Sequence, residues 1–225
     1  MKKLFLFVLL LSVPAPAQVK FEKGNASKNY NARIEVERCA ENTCDGKLKI
    51  ELFKKSGAKP FQVLNIAETE FAMEEAKLTD AKRRYDYQSI IFFEDYNFDG
   101  IEDLSIRDGN NSAYSGPSYQ IYLFSPRRGK FVHSPAFARL AQSEYLGMFE
   151  VDKKKKVIRV ASKGGCCMHR TEEFRVVNNR LVKVFEIYEE VEVWKENVNR
   201  VRIETSRLIK GRWQTRVRYE KLKED

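Results

Sequence analysis

Histidine is almost missing from this chain: His133 and His169 are the only two in 225 residues. There is no Gly-x-Ser-x-Gly elbow and no His-Glu-x-x-His segment, so hydrolysis by a histidine base or a two-histidine zinc has no footing. Paired-carboxylate chemistry has only one obvious acidic cluster to draw on, and that cluster reads as a metal loop. The expectation is a protein that is not an enzyme, with no catalytic residue assigned. With 6 proline and 11 glycine, no stretch rich in either divides the sequence. One β-rich domain over 18–225 is therefore expected.

Long apolar runs are absent after the first seventeen residues, MKKLFLFVLLLSVPAPA. That opening has a dilysine start, an apolar stretch from Leu4 to Val13, and the small residues Ala15 and Ala17 before Gln18. It reads as a secretory signal peptide cut after Ala17 and is too short to span a bilayer. No cysteine stands at the cut, so a lipoprotein anchor is not indicated. A soluble periplasmic or secreted bacterial protein without a transmembrane anchor is expected.

The formal net charge is +9, and losing Lys2 and Lys3 with the signal leaves 39 basic against 32 acidic residues. The excess gathers in KKKK at 153–156 and in RLIKGRWQTRVRYEKLK near the C-terminus. No nucleic-acid motif accompanies it, so no nucleic-acid partner is expected, and attraction to an anionic envelope is the better reading.

From Ala32 onward, short alternating runs are separated by turn residues. ARIEVERC and GKLKIELF flank one loop, YQIYLF and KFVHS another, EEFRVV and LVKVFEIY flank Asn178-Asn179, and VRIETSRLI and WQTRVRYEKL flank Lys210-Gly211. Two-residue turns between period-2 segments predict antiparallel hairpins, hence an all-β fold: a propeller-like array of small sheets, or alternatively a β-sandwich. A faint likeness between RVVNNRLVKVFE and SRLIKGRWQTRVRYE leans toward repeated units. Only 68–84, ETEFAMEEAKLTDAKRR, has a helix-friendly composition, and it reads equally as a long loop.

Four cysteines in an exported chain point to disulfides. Cys39 and Cys44 bracket AENT between two strand-like runs and are the favoured pair, which leaves the adjacent Cys166 and Cys167. Crossed pairing is the alternative. A zinc or nucleophile site from Cys166, Cys167 and His169 is set against by the spacing, since adjacent thiolates suit tetrahedral zinc poorly.

The most pointed segment is EDYNFDGIED at 94–103. Asp95, Asn97 and Asp99 alternate, Gly100 follows, and Asp103 closes the run as D-x-N-x-D-G-x-x-D. Oxygen ligands at loop positions one, three, five and nine, with the carbonyl of Ile101 at seven, suit the oxygen shell of calcium. The glycine permits the tight bend. Position twelve is Ile106 where an EF-hand needs Glu, and the flanks QSIIFF and LSIR are strand-like, so the loop is read as strand–loop–strand. Such residues also favour a plain metal-free turn.

The run FFEDYNFDGIEDLSIRDGNNSAYSGPSYQIYLFSPRRGKFV, followed by LGMFEVDKKKKVIRVASKGGCCMH, resembles the periplasmic calcium-binding immunity proteins that protect bacteria from lysozyme-like toxins delivered by antibacterial type IV secretion systems. The loop itself is similar to the FG-GAP loops of integrin-type propellers. The resemblance covers roughly residues 90–190. It implies a β-rich, propeller-like fold, one structural calcium with ligand roles at Asp95, Asn97, Asp99 and Asp103, no catalysis, and binding to a peptidoglycan-cleaving toxin.

The expected function is thus an exported calcium-binding protein that binds and inhibits such a muramidase-type toxin. An envelope-associated structural module is the alternative, and a cell-wall hydrolase the distant one. The expected partner surface follows the loop, in RDGNNSAYSGPSYQ, with Asn110, Asn111, Tyr114 and Ser115 as its contacts. The plainer reading of that stretch is a solvated loop whose Tyr119 belongs to the next strand.

Overall fold

The computed structural model describes residues 19–23, 26–72, 90–192 and 200–221. The signal segment 1–17 lies outside them. Among the described residues fourteen strands form three antiparallel sheets, each ordered as in the chain. The first holds β1 (Val19–Lys23), β2 (Tyr30–Ala40), β3 (Thr43–Lys54) and β4 (Gln62–Ala72). The second holds β5 (Ile91–Glu94), β6 (Asp103–Gly109), β7 (Ser118–Ser125) and β8 (Lys130–His133). The third holds β9 (Glu150–Asp152), β10 (Val157–Gly164), β11 (Met168–Val177), β12 (Arg180–Val191), β13 (Arg200–Ile209) and β14 (Arg212–Lys221). A short α-helix, α1 (Pro135–Arg139), joins the second sheet to the third.

Turn chemistry explains the meanders. Glu41-Asn42 (φ 48° and 68°), Asn178-Asn179 (51° and 59°) and Lys210-Gly211 (50° and 76°) each place two left-handed residues at a hairpin tip. That geometry matches the right-handed twist of the flanking strands and fixes their register. Across the first of these tips Cys39 pairs with Cys44 in register, and the two are disulfide-bonded.

The sheets stack as layers. Ile34 and Val36 of β2 with Leu48, Ile50 and Leu52 of β3 pack against Ile91, Leu104, Ile106, Tyr122 and Phe131 of the second sheet. The opposite face of the second sheet offers Tyr119, Ile121 and Leu123 to Phe137 and Ala138 of α1 and to Ile158 and Val160 of β10. Both faces of the middle sheet are thus buried, which is why YQIYLF reads as a nearly unbroken apolar run. The all-β antiparallel architecture is as expected, and the layers fit the sandwich alternative; no propeller ring is formed among the described residues.

One segment departs from expectation. Residues 68–72, the start of the helix-friendly run, complete β4, where Thr69 and Phe71 turn inward while Glu68 and Glu70 face out. Pairing with β3, with Phe71 opposite Cys44, overrides the local helix preference. The remainder of that run, 73–84, lies outside the described residues.

Candidate functional site

Strand β6 joins the two segments that the sequence singles out. At its start lies the acidic loop 95–102, and at its end the turn 110–117. Consecutive turns of a meander fall at opposite ends of the sheet, so the two segments are separated by the length of β6, about 20 Å at strand rise.

In the acidic loop, Asp95 accepts from the amides of Asp99 (Oδ1, 3.0 Å) and Gly100 (Oδ2, 2.9 Å). The Asp99 amide also donates to Asn97 Oδ1 at 3.2 Å, so oxygens of Asp95 and Asn97 flank one N–H. Asp99 Oδ1 accepts from the Ile101 amide at 2.9 Å. Gly100 has φ +87° with open space where a Cβ would stand, so glycine is required there by conformation rather than crowding. Phe98 is also left-handed (φ 63°), and its ring packs on the second core, anchoring the loop from beneath. Asn97 Nδ2 donates to Asp99 Oδ2 and to Asn179 Oδ1, both at 2.9 Å, tying the loop to the β11–β12 turn.

Asp103 behaves differently. It is fully buried, its Oδ2 accepts from the amides of Tyr96 (3.0 Å) and Asn97 (3.3 Å), and its Oδ1 accepts from the amide of Phe124 at 2.7 Å. Burial pushes its carboxyl up to about 7; the Phe124 and Tyr96 amides pull it down, and the charge of Asp99 adds to the rise. A carboxylate offers about four lone-pair positions, so three amides leave one. Among the described residues no group of three or more His, Cys, Asp or Glu side chains gathers as a metal cluster. A cation here would draw on Asp95 and Asp99 with the neutral oxygens of Asn97 and Ile101. That all-oxygen donor set fits a hard cation such as calcium and offers no soft ligand.

The turn at the far end is held on all sides. The Ala113 amide donates to the Tyr145 carbonyl (2.9 Å), the Ser143 amide to the Asn111 carbonyl (2.8 Å), and the Asn111 amide to Ser118 Oγ (3.0 Å). Ser112 is buried, its hydroxyl donating to the Pro117 carbonyl at 2.8 Å. Asn110 Oδ1 accepts from Arg107 Nη2 at 2.7 Å. Tyr119 is wholly buried in the second core, as the plainer reading had it, whereas Tyr114 is 61% exposed. Tyr114 and Ser115 are both left-handed (φ 57° and 56°) and project from the anchored loop.

Tyr114 has a neighbour that the sequence does not announce. Its hydroxyl accepts from the Gly165 amide at 2.8 Å, and Lys163 Nζ stands 4.6 Å from its ring centroid. Gly165 opens the β10–β11 turn, where Cys166 and Cys167 are disulfide-bonded to each other. The Cys167 carbonyl accepts from the Val191 amide at 2.8 Å, fixing this turn to the end of β12. With both sulfurs joined, Cys166 and Cys167 offer no thiolate for zinc, and His169 is exposed beside them. His133 sits at the end of β8, its ring 5.2 Å from that of Tyr122. Gln120 donates through Nε2 to Asp108, and since its Oε1 only accepts, His133 donates to it through Nε2 at 2.6 Å.

The fold is shared with a solved structure described as a Xanthomonas type IV secretion system related protein, with a TM-score of 0.69 over 90% of this chain and 95% of that one. Identity is 19%, so the likeness is one of fold. No protein family model matches the sequence, and no curated protein does.

Proposed function

We propose that this chain is an exported, calcium-stabilised binding protein that docks a muramidase-type toxin through the Tyr114 turn and blocks its substrate cleft, without catalysis of its own. The observation that carries the reading is the turn itself: an exposed tyrosine on a loop whose backbone is already tied down loses little freedom on binding. The sequence resemblance described above supplies the toxin class. The fold likeness to a protein related to type IV secretion is consistent with that setting. Calcium, held by oxygens of Asp95, Asn97, Asp99 and Ile101 with the remaining lone pair of Asp103, would neutralise the loop and fix the start of β6.

The test is clearance of a peptidoglycan suspension by a lysozyme-type muramidase, with the purified protein titrated in. Slowed clearance at near-stoichiometric protein, stronger in calcium than in chelator, is expected. Clearance at the uninhibited rate with every lysozyme-type muramidase of the producing organism and its competitors would remove the proposal.

A further inference from the structure

The lysine run at 153–156 and the tip of the second basic run, Lys210 to Arg212, are far apart along the chain but fall at one end of the third sheet. Alternate turns of a meander share an end, so Lys153–Lys156, Asn178-Asn179 and Lys210-Gly211 project together, opposite the Tyr114 turn. Lys153 is paired with Glu94, and Lys155 with Asp152 and Glu173. Lys154, Lys156, Lys210 and Arg212 are exposed and have no ion-pair partner among the described residues.

Between these cations lie exposed apolar side chains in a regular arrangement. Val182 stands opposite Arg175, Val177 opposite Arg180, and Ile209 opposite Arg212. The valines and the isoleucine are 38%, 52% and 43% exposed in that order. Direct cross-strand partners share a face, about 5 Å apart at Cβ. Phe174, Val176 and Leu181 take the core-facing side, so the Val182–Arg175 and Val177–Arg180 pairs occupy the outer face, and Ile209 and Arg212 are exposed at the tip of the neighbouring hairpin.

We propose that this end of the third sheet docks on an anionic lipid surface, with the arginines and lysines at headgroup phosphates and Val177, Val182 and Ile209 at the acyl boundary. Unpaired cations beside exposed aliphatic side chains match a surface that is anionic outside and apolar beneath. A nucleic acid would reward only the charge and leave the aliphatic side chains uncovered. The acidic loop lies at the same end, joined through Asn97 and Asn179, but its carboxylates belong to the second sheet. Docked this way, the protein holds the Tyr114 turn away from the membrane.

The inference is independent of the toxin reading and is tested with the exported form of the protein and two vesicle preparations, equimolar phosphatidylglycerol–phosphatidylcholine and pure phosphatidylcholine. Chelator is present so that calcium cannot bridge lipids, and salt is about 50 mM, where screening is weak. Co-sedimentation with the anionic vesicles alone is expected. R180Q/R212Q should lower the partition coefficient about 30-fold, and V177S/I209S at least about tenfold, with unchanged melting temperatures. No binding to anionic vesicles, equal binding to both preparations, or retention by R180Q/R212Q would each overturn the proposal. Loss with R180Q/R212Q but none with V177S/I209S, together with equal binding to heparin, would identify a general polyanion surface and overturn the lipid assignment.

Discussion

The middle sheet and the terminal hairpin obey the same period-2 rule and end in opposite states. In β6 nearly every residue is buried because both faces are covered, whereas all ten residues of β14 are exposed. A strand enclosed on both sides cannot shift without disturbing two cores, so β6 is a stiff link between the acidic loop and the Tyr114 turn. A strand covered on neither side is constrained mainly by its pairing with β13, and its side chains are free to serve a surface.

The largest effect that sharpens this contrast is a cavity. Ile106→Ala should cost about 2–5 kcal/mol, while Val217→Ala on β14 should change stability by less than about 0.5 kcal/mol. Denaturant unfolding of both variants is the check, and comparable losses would mean that the hairpin is packed more tightly than its exposure indicates.

Next in size is proton linkage at Asp103, at the start of β6. Its folded pKa of about 7 lies above the ordinary 3.8, so its contribution favours folding below pH 4 and is lost as pH rises through 7. Metal-free protein should therefore lose on the order of 2–4 kcal/mol across that window, and calcium should suppress the loss by stabilising the carboxylate. Melting curves from pH 4 to 8 with and without calcium measure it; superimposable profiles would count against a cation near Asp103.

Calcium itself should then stabilise by about 2.7 kcal/mol at a hundredfold excess over its Kd, and Asp99→Ala should abolish that gain while leaving β14 unaffected. Smallest is Tyr114→Phe, which removes one hydrogen bond to Gly165 and should cost about 1 kcal/mol or less. Faster hydrogen exchange at the Gly165 amide, with β6 amides unchanged, is the expected signature.

Much of this arrangement was legible locally. The Asn178-Asn179 and Lys210-Gly211 tips carry their turn type in two residues, and the hairpins around them follow. The layer order was not legible, because YQIYLF is buried on both faces and so has no alternation to reveal which partner each face meets. The run 68–84 has a helix-friendly composition that reads equally as a long loop, yet its first residues complete β4, with Glu68 and Glu70 on the strand's solvent face. The acidic spacing at 95–103 is legible as a tight loop rich in side-chain oxygens, but the Asp103–Phe124 hydrogen bond crosses 21 positions. The Tyr114–Gly165 contact crosses 51. Contacts of that range depend on how sheets stack, and no short window of sequence encodes them.

Tyr114 is placed at the binding surface while the scaffold acts through β6, and Tyr114→Ala separates the two most directly. Inhibition of a lysozyme-type muramidase and the calcium-loaded melting temperature would be measured on the same preparation. At least about a tenfold loss of inhibition is expected, as for an aromatic hot spot, with a stability loss of only about 1 kcal/mol from the lost Gly165 contact. Parallel losses of inhibition and stability would place Tyr114 in the scaffold, and undiminished inhibition would contradict the assigned surface.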